Sequence, residues 1–206
     1  MMISSRQLDY GVAMGALHGH PESGDQYLVK EFPNAVLMAV ADGLGHGDEA
    51  AYAAKKAIES LMLSESESLI ELMNVCHDAL KETRGATITM ALIHNEYQVS
   101  CLGVGNVAAI HWHKKAGDQP TIEELFSQGG VVGLRLPHLR VSEFTAGPGD
   151  TLILATDGIL AQFTRLSPMC HALPQTIAEH IFKEFRNPKD DALVLVMRWL
   201  NSDKGR

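Results

Sequence analysis

The segment Ala35-Val-Leu-Met-Ala-Val-Ala-Asp-Gly-Leu-Gly-His-Gly47 carries the pattern that decides the fold. Residues 35–41 are apolar at every position, which is typical of a strand covered on both faces. The strand ends at Asp42, and the glycine-rich turn 43–47 follows it. We therefore predict a central strand, in a sheet covered on both faces, that places a carboxylate at one end of the sheet.

Helical periodicity begins directly after this turn. Within Asp48–Met62, apolar residues occupy positions 50, 54, 57, 58 and 61, which lie on one helix face. The same spacing recurs from about Ser66 to Leu80 and predicts a second helix, and Gln175–Phe185 is predicted as a third. The alanines of the first helix allow close approach to a sheet, so the first two helices should form a layer on it.

The rest of the pattern is that of short strands joined mainly by hairpins. We predict strands over Gly11–Gly15, Asp25–Phe32, Ala86–Ile93, Tyr97–Leu102, Asn106–Trp112, Glu123–Ser127, Val141–Thr145, Thr151–Ala155 and Ala192–Met197. Together with the helices, these strands predict an α+β fold. Its expected architecture is a four-layer αββα sandwich, with two antiparallel β-sheets flanked by helices.

Composition excludes several classes of protein. The 206 residues are 46% hydrophobic and 20% charged, which fits a single globular domain over residues 1–206 and not a disordered chain. With 17 basic against 25 acidic residues the net charge is −8, so a nucleic-acid partner is disfavoured. No apolar run approaches the roughly 20 residues of a membrane span, and the N-terminus has no signal-peptide pattern. We expect a cytoplasmic monomer with no membrane partner.

Cysteine and histidine spacing argues against a zinc site. No CxxC pair occurs, so we expect three buried thiols, at Cys76, Cys101 and Cys170. Two i, i+2 histidine pairs occur, His18/His20 and His111/His113. Zinc needs a third ligand at a defined spacing, which neither pair shows, so we expect both pairs to be solvated or hydrogen-bonded.

The placement of the aspartates is the feature that points to chemistry. Asp42 and Asp157 each follow an apolar strand and precede glycine, whereas Asp25 and the pair Asp190-Asp191 immediately precede strands. Asp-Gly is also ordinary turn chemistry. An uncompensated buried carboxylate, however, costs several kcal/mol, so it needs a donor, a cation or a metal. If the four positions converge on one end of the sheets, they form the all-oxygen cluster that Mg²⁺ and Mn²⁺ prefer.

The turn between the central strand and the first helix could bind an anion. Gly43–Gly47 leads into the N-terminus of a helix, where free N–H groups and the helix dipole attract negative charge. The turn lacks the lysine of a Walker motif, so a nucleotide-binding loop is excluded. No cysteine lies beside a phosphate-binding loop, so a thiolate nucleophile has no support.

Six short motifs resemble the PPM family of metal-dependent protein serine/threonine phosphatases in order and spacing, over roughly residues 10–198. They are Gly24-Asp25, Ala41-Asp-Gly-Leu-Gly-His-Gly47, Arg84-Gly-Ala-Thr87, Val104-Gly-Asn106, Ala155-Thr-Asp-Gly158 and Lys189-Asp-Asp191. The small size, the Asp-Gly-Leu-Gly-x-Gly turn and Arg-Gly-Ala-Thr are most similar to the RsbX/SpoIIE-like subgroup of bacterial stress-response phosphatases.

The resemblance implies a centre of two Mn²⁺ or Mg²⁺ ions. Asp42 would bridge both ions, the Gly43 carbonyl and Asp25 would bind one, and Asp157 with Asp190 would bind the other. Asp42 and Asp157 would be the catalytic residues.

Further residues are implied to support the ligands or to bind phosphate: Asp191, Gly45, His46, Gly47 and Arg84. Asp191 stands where many relatives have asparagine, so it is expected beside the ligands. Arg84 is equally compatible with a surface cation. Many family members bind phosphate with an early arginine, but Arg6 lies well ahead of Asp25 and does not match that position.

The implied function is hydrolysis of phosphoserine or phosphothreonine on a bacterial signalling protein by a metal-activated water. The implied substrate is a phosphorylated STAS-domain protein, either a stressosome component or an anti-sigma-factor antagonist. Two alternatives stay open. One is a catalytically weak, metal-binding regulatory module that docks on the same partners, and the other is a small-molecule phosphoesterase.

Overall fold

The computed structural model describes residues 8–94, 97–113, 121–166, 169 and 171–200. Its strands are β1 (Leu8–Gly15), β2 (Asp25–Glu31), β3 (Ala35–Gly43), β4 (Ala86–His94), β5 (Gln98–Val104), β6 (Ala108–His113), β7 (Thr121–Leu125), β8 (Ser127–Gln128), β9 (Ser142–Thr145), β10 (Thr151–Ala155) and β11 (Ala192–Trp199). Its α-helices are α1 (Asp48–Leu63), α2 (Leu69–Leu80) and α3 (Pro174–Phe185), and a short 3₁₀ helix spans Ala161–Arg165.

The strands form two sheets. The five-stranded sheet has the order β1-β11-β10-β6-β7, and the six-stranded sheet has the order β2-β3-β4-β5-β8 with β9 also paired to β5. The apolar strand β3 is central, as predicted, because β2 and β4 flank it on both sides. One pair departs from the antiparallel expectation: β8 runs parallel to β5, with Gly103 opposite Ser127.

Helices cover the outer face of each sheet. A buried cluster joins α1 and α2 to the six-stranded sheet, and a second joins α3 to the five-stranded sheet. A third cluster fills the space between the sheets. The buried alanines of α1 let it lie close to the sheet, as expected: Ala50, Ala51, Ala53, Ala54 and Ala57. The predicted αββα sandwich is confirmed.

The topology brings the predicted aspartates to one end of this sandwich. Because β10 and β11 are antiparallel neighbours, the end of β10 lies beside the start of β11. Asp157 therefore lies near Asp190 and Asp191. In the other sheet, the register of the β2–β3 hairpin places Asp25 directly opposite Asp42.

Other sequence expectations have mixed outcomes. Cys76 and Cys101 are buried, as predicted, whereas Cys170 and Arg6 lie outside the described residues. His111 is hydrogen-bonded, to Asp150, which is one of the two expected states, and its side chain has no exposure to solvent. In the part of the chain that the structure describes, no helix is long and apolar enough to cross a membrane.

Candidate metal centre

Asp25 and Asp42 form the centre of the acidic cluster. They occupy directly opposite positions of the β2–β3 hairpin, where like charges normally destabilise a sheet. Asp25 is almost fully buried, and its Oδ2 accepts a hydrogen bond of 2.8 Å from the Thr156 hydroxyl. Since Thr156 follows β10 of the opposite sheet, this bond links the two sheets at the acidic end.

Asp157, Asp190 and Asp191 approach from the five-stranded sheet. Asp157 is exposed, Asp190 is partly buried and Asp191 is almost fully buried. The Asp190 Oδ1 accepts a hydrogen bond from the backbone N–H of Asp191. The Asp191 Oδ1 accepts one of 2.8 Å from the backbone N–H of Leu17. The structure thus brings together the five aspartates that were predicted from separate segments.

The electrostatics of the cluster show that these carboxylates interact. Burial, followed by repulsion from the other four aspartates, raises the pKa of Asp42 from 3.8 to about 8. Burial also raises the pKa of Asp25 to about 7, although the hydrogen bond from Thr156 opposes this shift. Burial and the charge of Asp157 raise the pKa of Asp190 as well. The cluster therefore carries more negative charge than its surroundings compensate.

The donor set fits divalent metal ions. Among the described residues, no lysine, arginine or histidine forms an ion pair with these five carboxylates. The buried Oδ2 of Asp191 has no hydrogen-bond partner in the described part of the chain. Hard cations such as Mg²⁺ and Mn²⁺ bind carboxylate and carbonyl oxygens. Such ions would supply the positive charge that the cluster lacks.

Glycines allow the backbone to approach closely at this end. A Cβ on Gly43 would lie 2.0 Å from the carbonyl oxygen of Ala50, so no side chain fits between the end of β3 and α1. A Cβ on Gly24 would lie 2.9 Å from the Asp191 Oδ2. The Asp-Gly sequence is therefore required by packing against α1, in addition to any role of the Gly43 carbonyl toward a metal.

The turn 43–47 lies beside the acidic cluster. The N–H groups of Gly43 and Leu44 already donate to backbone carbonyls, so only the later part of the turn is left for an anion. Gly45 and Gly47 have φ values of 88° and 80°, which favour glycine. The charge of His46 lowers the pKa of Asp190, which places this histidine near the cluster.

Arg84 and His20 border the same turn. The Arg84 guanidinium forms an ion pair with Glu49 of α1 and lies next to Gly45, so this side chain is at the edge of the site. The ring of His20 lies 5.6 Å from the ring of His46, measured between centroids. His20 was expected to be solvated or hydrogen-bonded, and its contact with His46 was not predicted.

Two polar residues that support the acidic side chains also had no predicted role. The Asn106 amide donates a hydrogen bond of 2.6 Å to the Asp157 Oδ2, and its carbonyl oxygen accepts one from the Thr87 hydroxyl. Thr156 holds Asp25 and also accepts from the backbone N–H of Leu193. Both residues lie within the motifs that resemble the phosphatase family, so membership of those motifs was the sequence feature that could have identified them.

Known proteins share this fold and sequence pattern. The chain is 32% identical over 140 residues to phosphoserine phosphatase RsbX of Bacillus subtilis (strain 168), covering 66% of this chain and 67% of that protein. A structure from work on the bacterial stressosome as a modular system adapted to control secondary messenger signalling aligns with a TM-score of 0.83 and 28% identity. That alignment covers 93% of this chain and all of the other.

A structure of RsbX in complex with magnesium has the same fold, with a TM-score of 0.81 and 21% identity over 97% of this chain and 98% of that one. The predicted fold and the predicted class of enzyme, a phosphoprotein phosphatase, are confirmed. The model of the family described as stage II sporulation protein E (SpoIIE) matches residues 33–200. Because this match covers most of the chain, the protein belongs to the SpoIIE family of PP2C-type phosphatases.

Proposed function

We propose that this protein is a metal-dependent phosphatase that removes phosphate from serine or threonine of a STAS-domain signalling protein. The observation that carries the proposal is the convergence of five aspartates at one end of the sandwich, none of which forms an ion pair with a lysine, arginine or histidine among the described residues. The relatives RsbX and the stressosome structure support a role in stress signalling.

Two Mn²⁺ or Mg²⁺ ions would be held by Asp42, Asp25, the Gly43 carbonyl, Asp157 and Asp190. When bound, such a pair of ions supplies an activated water for in-line attack on phosphorus and neutralises the phosphoryl oxygens. The donor set supports this assignment because it consists of oxygens only and is rich in negative charge.

The protein's own residues orient these ligands. Asn106 fixes one oxygen of Asp157, which is otherwise exposed and free to rotate. Thr156 fixes one oxygen of Asp25 and leaves its other oxygen for a metal. In metal sites, such supporting hydrogen bonds set ligand orientation and raise affinity. Asn106 and Thr156 are therefore proposed as positioning residues.

The substrate phosphate would lie between the cluster and the late part of the turn 43–47. N–H groups at a helix N-terminus bind anions, and α1 begins at Asp48 without a side-chain cap. Arg84 lies at the rim of this position, where it could exchange its partner Glu49 for a phosphate oxygen.

Phosphate release separates this function from its alternatives. We expect Mn²⁺-dependent release from a phosphorylated STAS-domain protein, and release from p-nitrophenyl phosphate as a generic substrate. Asp157→Asn should reduce both rates by on the order of 10³-fold, since metal coordination supplies several kcal/mol of transition-state stabilisation. The matched control is Asp78→Asn on α2. This substitution removes only an exposed ion pair with Lys81, which follows the helix.

The pattern of rates distinguishes the proposed phosphatase from a regulatory module and from a small-molecule phosphoesterase. Equal rates in wild type, Asp157→Asn and Asp78→Asn would contradict a metal-dependent hydrolase and favour a regulatory module. Activity on p-nitrophenyl phosphate and free phosphoserine but not on the phosphoprotein would favour a small-molecule phosphoesterase.

A further inference from the structure

A second cluster of potential metal ligands lies at the opposite end of the sandwich. His111 and His113 are two residues apart on β6 and so project from the same face. Asp150 immediately precedes β10, which pairs with β6. Asp157 follows the same strand, so the strand length places the two clusters on the order of 20 Å apart.

The distances within this cluster fit one small ion. His111 Nε2 lies 3.0 Å from Asp150 Oδ2, and His113 Nδ1 lies 3.9 Å from the same oxygen. One ligand atom from each of the three residues can be chosen so that all lie within 4.8 Å of one another. Zinc binds nitrogen and oxygen at about 2.0–2.2 Å, so neighbouring ligand atoms of a tetrahedral site are about 3.4 Å apart. Small side-chain shifts would bring both distances to that value.

Glu123 provides an independent indication of a metal ligand. His113 Nε2 lies 3.0 Å from Glu123 Oε2 on β7, and because a carboxylate only accepts, this nitrogen donates the hydrogen bond. In the neutral ring, Nδ1 then carries the lone pair, and this atom lies 3.9 Å from Asp150 Oδ2. Metal-binding histidines commonly have this arrangement, in which a carboxylate holds the nitrogen that does not bind the metal.

Packing holds the cluster rigid on one side and leaves it open on the other. His111 is fully buried, and its ring lies 4.4 Å from that of Phe144 and 3.7 Å from that of His113. The His113 side chain, by contrast, is 26% exposed. A bound ion would thus have protein ligands on the buried side and room for water on the exposed side.

We propose that His111, His113 and Asp150 bind a zinc-like transition-metal ion, at a site separate from the acidic cluster. Imidazole nitrogen favours Zn²⁺ over Mg²⁺, whereas the acidic cluster offers only oxygen. The ion takes the place of the proton between His111 Nε2 and Asp150, and in the neutral ring that proton moves to Nδ1, which is buried without a hydrogen-bond partner among the described residues. Through Glu123, the site joins β7 to β6 and to the start of β10.

The test uses the whole chain with Asp42→Asn and Asp157→Asn, which remove two of the proposed metal ligands from the acidic cluster. Zn²⁺ affinity is measured by competition with a chromogenic chelator, and Co²⁺ is used as a spectroscopic probe. We expect one Zn²⁺ per chain and a strong visible Co²⁺ spectrum of the kind given by nitrogen-containing sites of low coordination number. Both readouts are independent of phosphatase activity.

Three further substitutions in this background decide the proposal. His113→Gln should weaken Zn²⁺ binding at least about 10-fold, and Glu123→Ala should weaken it about 10-fold because the supporting carboxylate is lost. Glu123 is exposed, so its substitution tests the site even if His113→Gln fails to fold. His180→Gln, on α3, is the matched control and should bind as the background does. Equal affinity in Glu123→Ala and His180→Gln, or no Zn²⁺ binding by the background, would overturn the proposal.

Discussion

The two ends of the β-sandwich hold carboxylates in opposite surroundings. At one end, Asp25 and Asp42 face each other and three further aspartates. At the other end, Asp150 faces His111, and Glu123 faces His113. The first arrangement accumulates charge, whereas the second compensates it within the protein. One pair of sheets therefore builds both a site that concentrates negative charge and a site in which neighbouring imidazoles accompany each carboxylate.

Strand β10 connects these ends, because Asp150 precedes it and Asp157 follows it. Its five residues are all buried, so the core fixes the backbone positions from which both carboxylates extend. The partners supplied by other strands, from the opposite sheet at one end and from the adjacent strand at the other, therefore determine the difference between the ends. At one end β2 and β3 supply further aspartates, and at the other β6 supplies imidazoles.

The largest expected effect is a pH dependence of stability at the acidic end in metal-free protein. The folded-state pKa values of Asp25 and Asp42 are raised to about 7 and about 8, so the folded state binds more protons than the unfolded state above pH 3.8. The free energy of unfolding should therefore fall by several kcal/mol between about pH 4 and pH 8, since each unit of pKa difference on one group is worth about 1.4 kcal/mol. Urea unfolding at a series of pH values, with a chelator present, measures this change in the free energy of unfolding.

Asp42→Asn provides the control for this prediction. The amide does not ionise, so the variant should lose less stability than wild type over the same pH range and should be the more stable protein at pH 8. Added Mg²⁺ should raise the stability of wild type at pH 8 by binding the folded state. Identical pH profiles for wild type and Asp42→Asn would contradict the charge accumulation described for this end.

The second prediction concerns the backbone contact at the acidic end. In Gly43→Ala the new Cβ would overlap the Ala50 carbonyl oxygen, so β3 or α1 must shift. We expect a loss of about 3 kcal/mol in the free energy of unfolding. Gly129→Ala is the matched control, because no heavy atom lies within 4 Å of its added Cβ. Equal unfolding midpoints for the two variants would exclude a tight contact at Gly43.

The smallest expected change in the free energy of unfolding concerns the end of the sandwich that holds His111, His113 and Asp150. There, a substitution should destabilise the protein, whereas Asp42→Asn should stabilise it. Asp150→Ala removes the acceptor of hydrogen bonds from His111 Nε2 and from the Gly147 backbone N–H. Leaving buried donors unsatisfied should cost about 2 kcal/mol of unfolding free energy in metal-free protein at pH 8. Urea unfolding of Asp150→Ala and Asp42→Asn, each treated with a chelator, measures the two changes side by side. If Asp150→Ala were stabilising, the contrast between the two ends would fail.

Strand-terminal position explains why the acidic cluster could be predicted. Asp42 and Asp157 follow unbroken apolar runs, and the hairpin pattern limits which strand ends can meet. The lengths of β1 and β11 were underestimated, because the charged residues Asp9 and Arg198 interrupt the apolar pattern near the outer end of each strand. The parallel pairing of β8 was missed because two residues are too few to show periodicity.

Side-chain partners were less predictable because they depend on strand register. His111 and Asp150 are 39 residues apart, and only the pairing of β6 with β10 brings them together. Asn106 reaches Asp157 across 51 residues in the same way. An i, i+2 histidine pair indicates a shared face but does not show what lies opposite that face. Burial of His111 was therefore beyond what the sequence pattern indicates.

The direct pairing of Asp25 with Asp42 limits how the length of this chain can vary. The loop that joins β2 to β3, residues 32–34, lies at the far end of the hairpin from this pair. Insertions in that loop leave the pairing of the two aspartates intact. A single insertion within β2 would turn Asp25 to the other face of the sheet, because side chains alternate along a strand. Natural or engineered length changes should therefore occur in the loop and be absent from the strand.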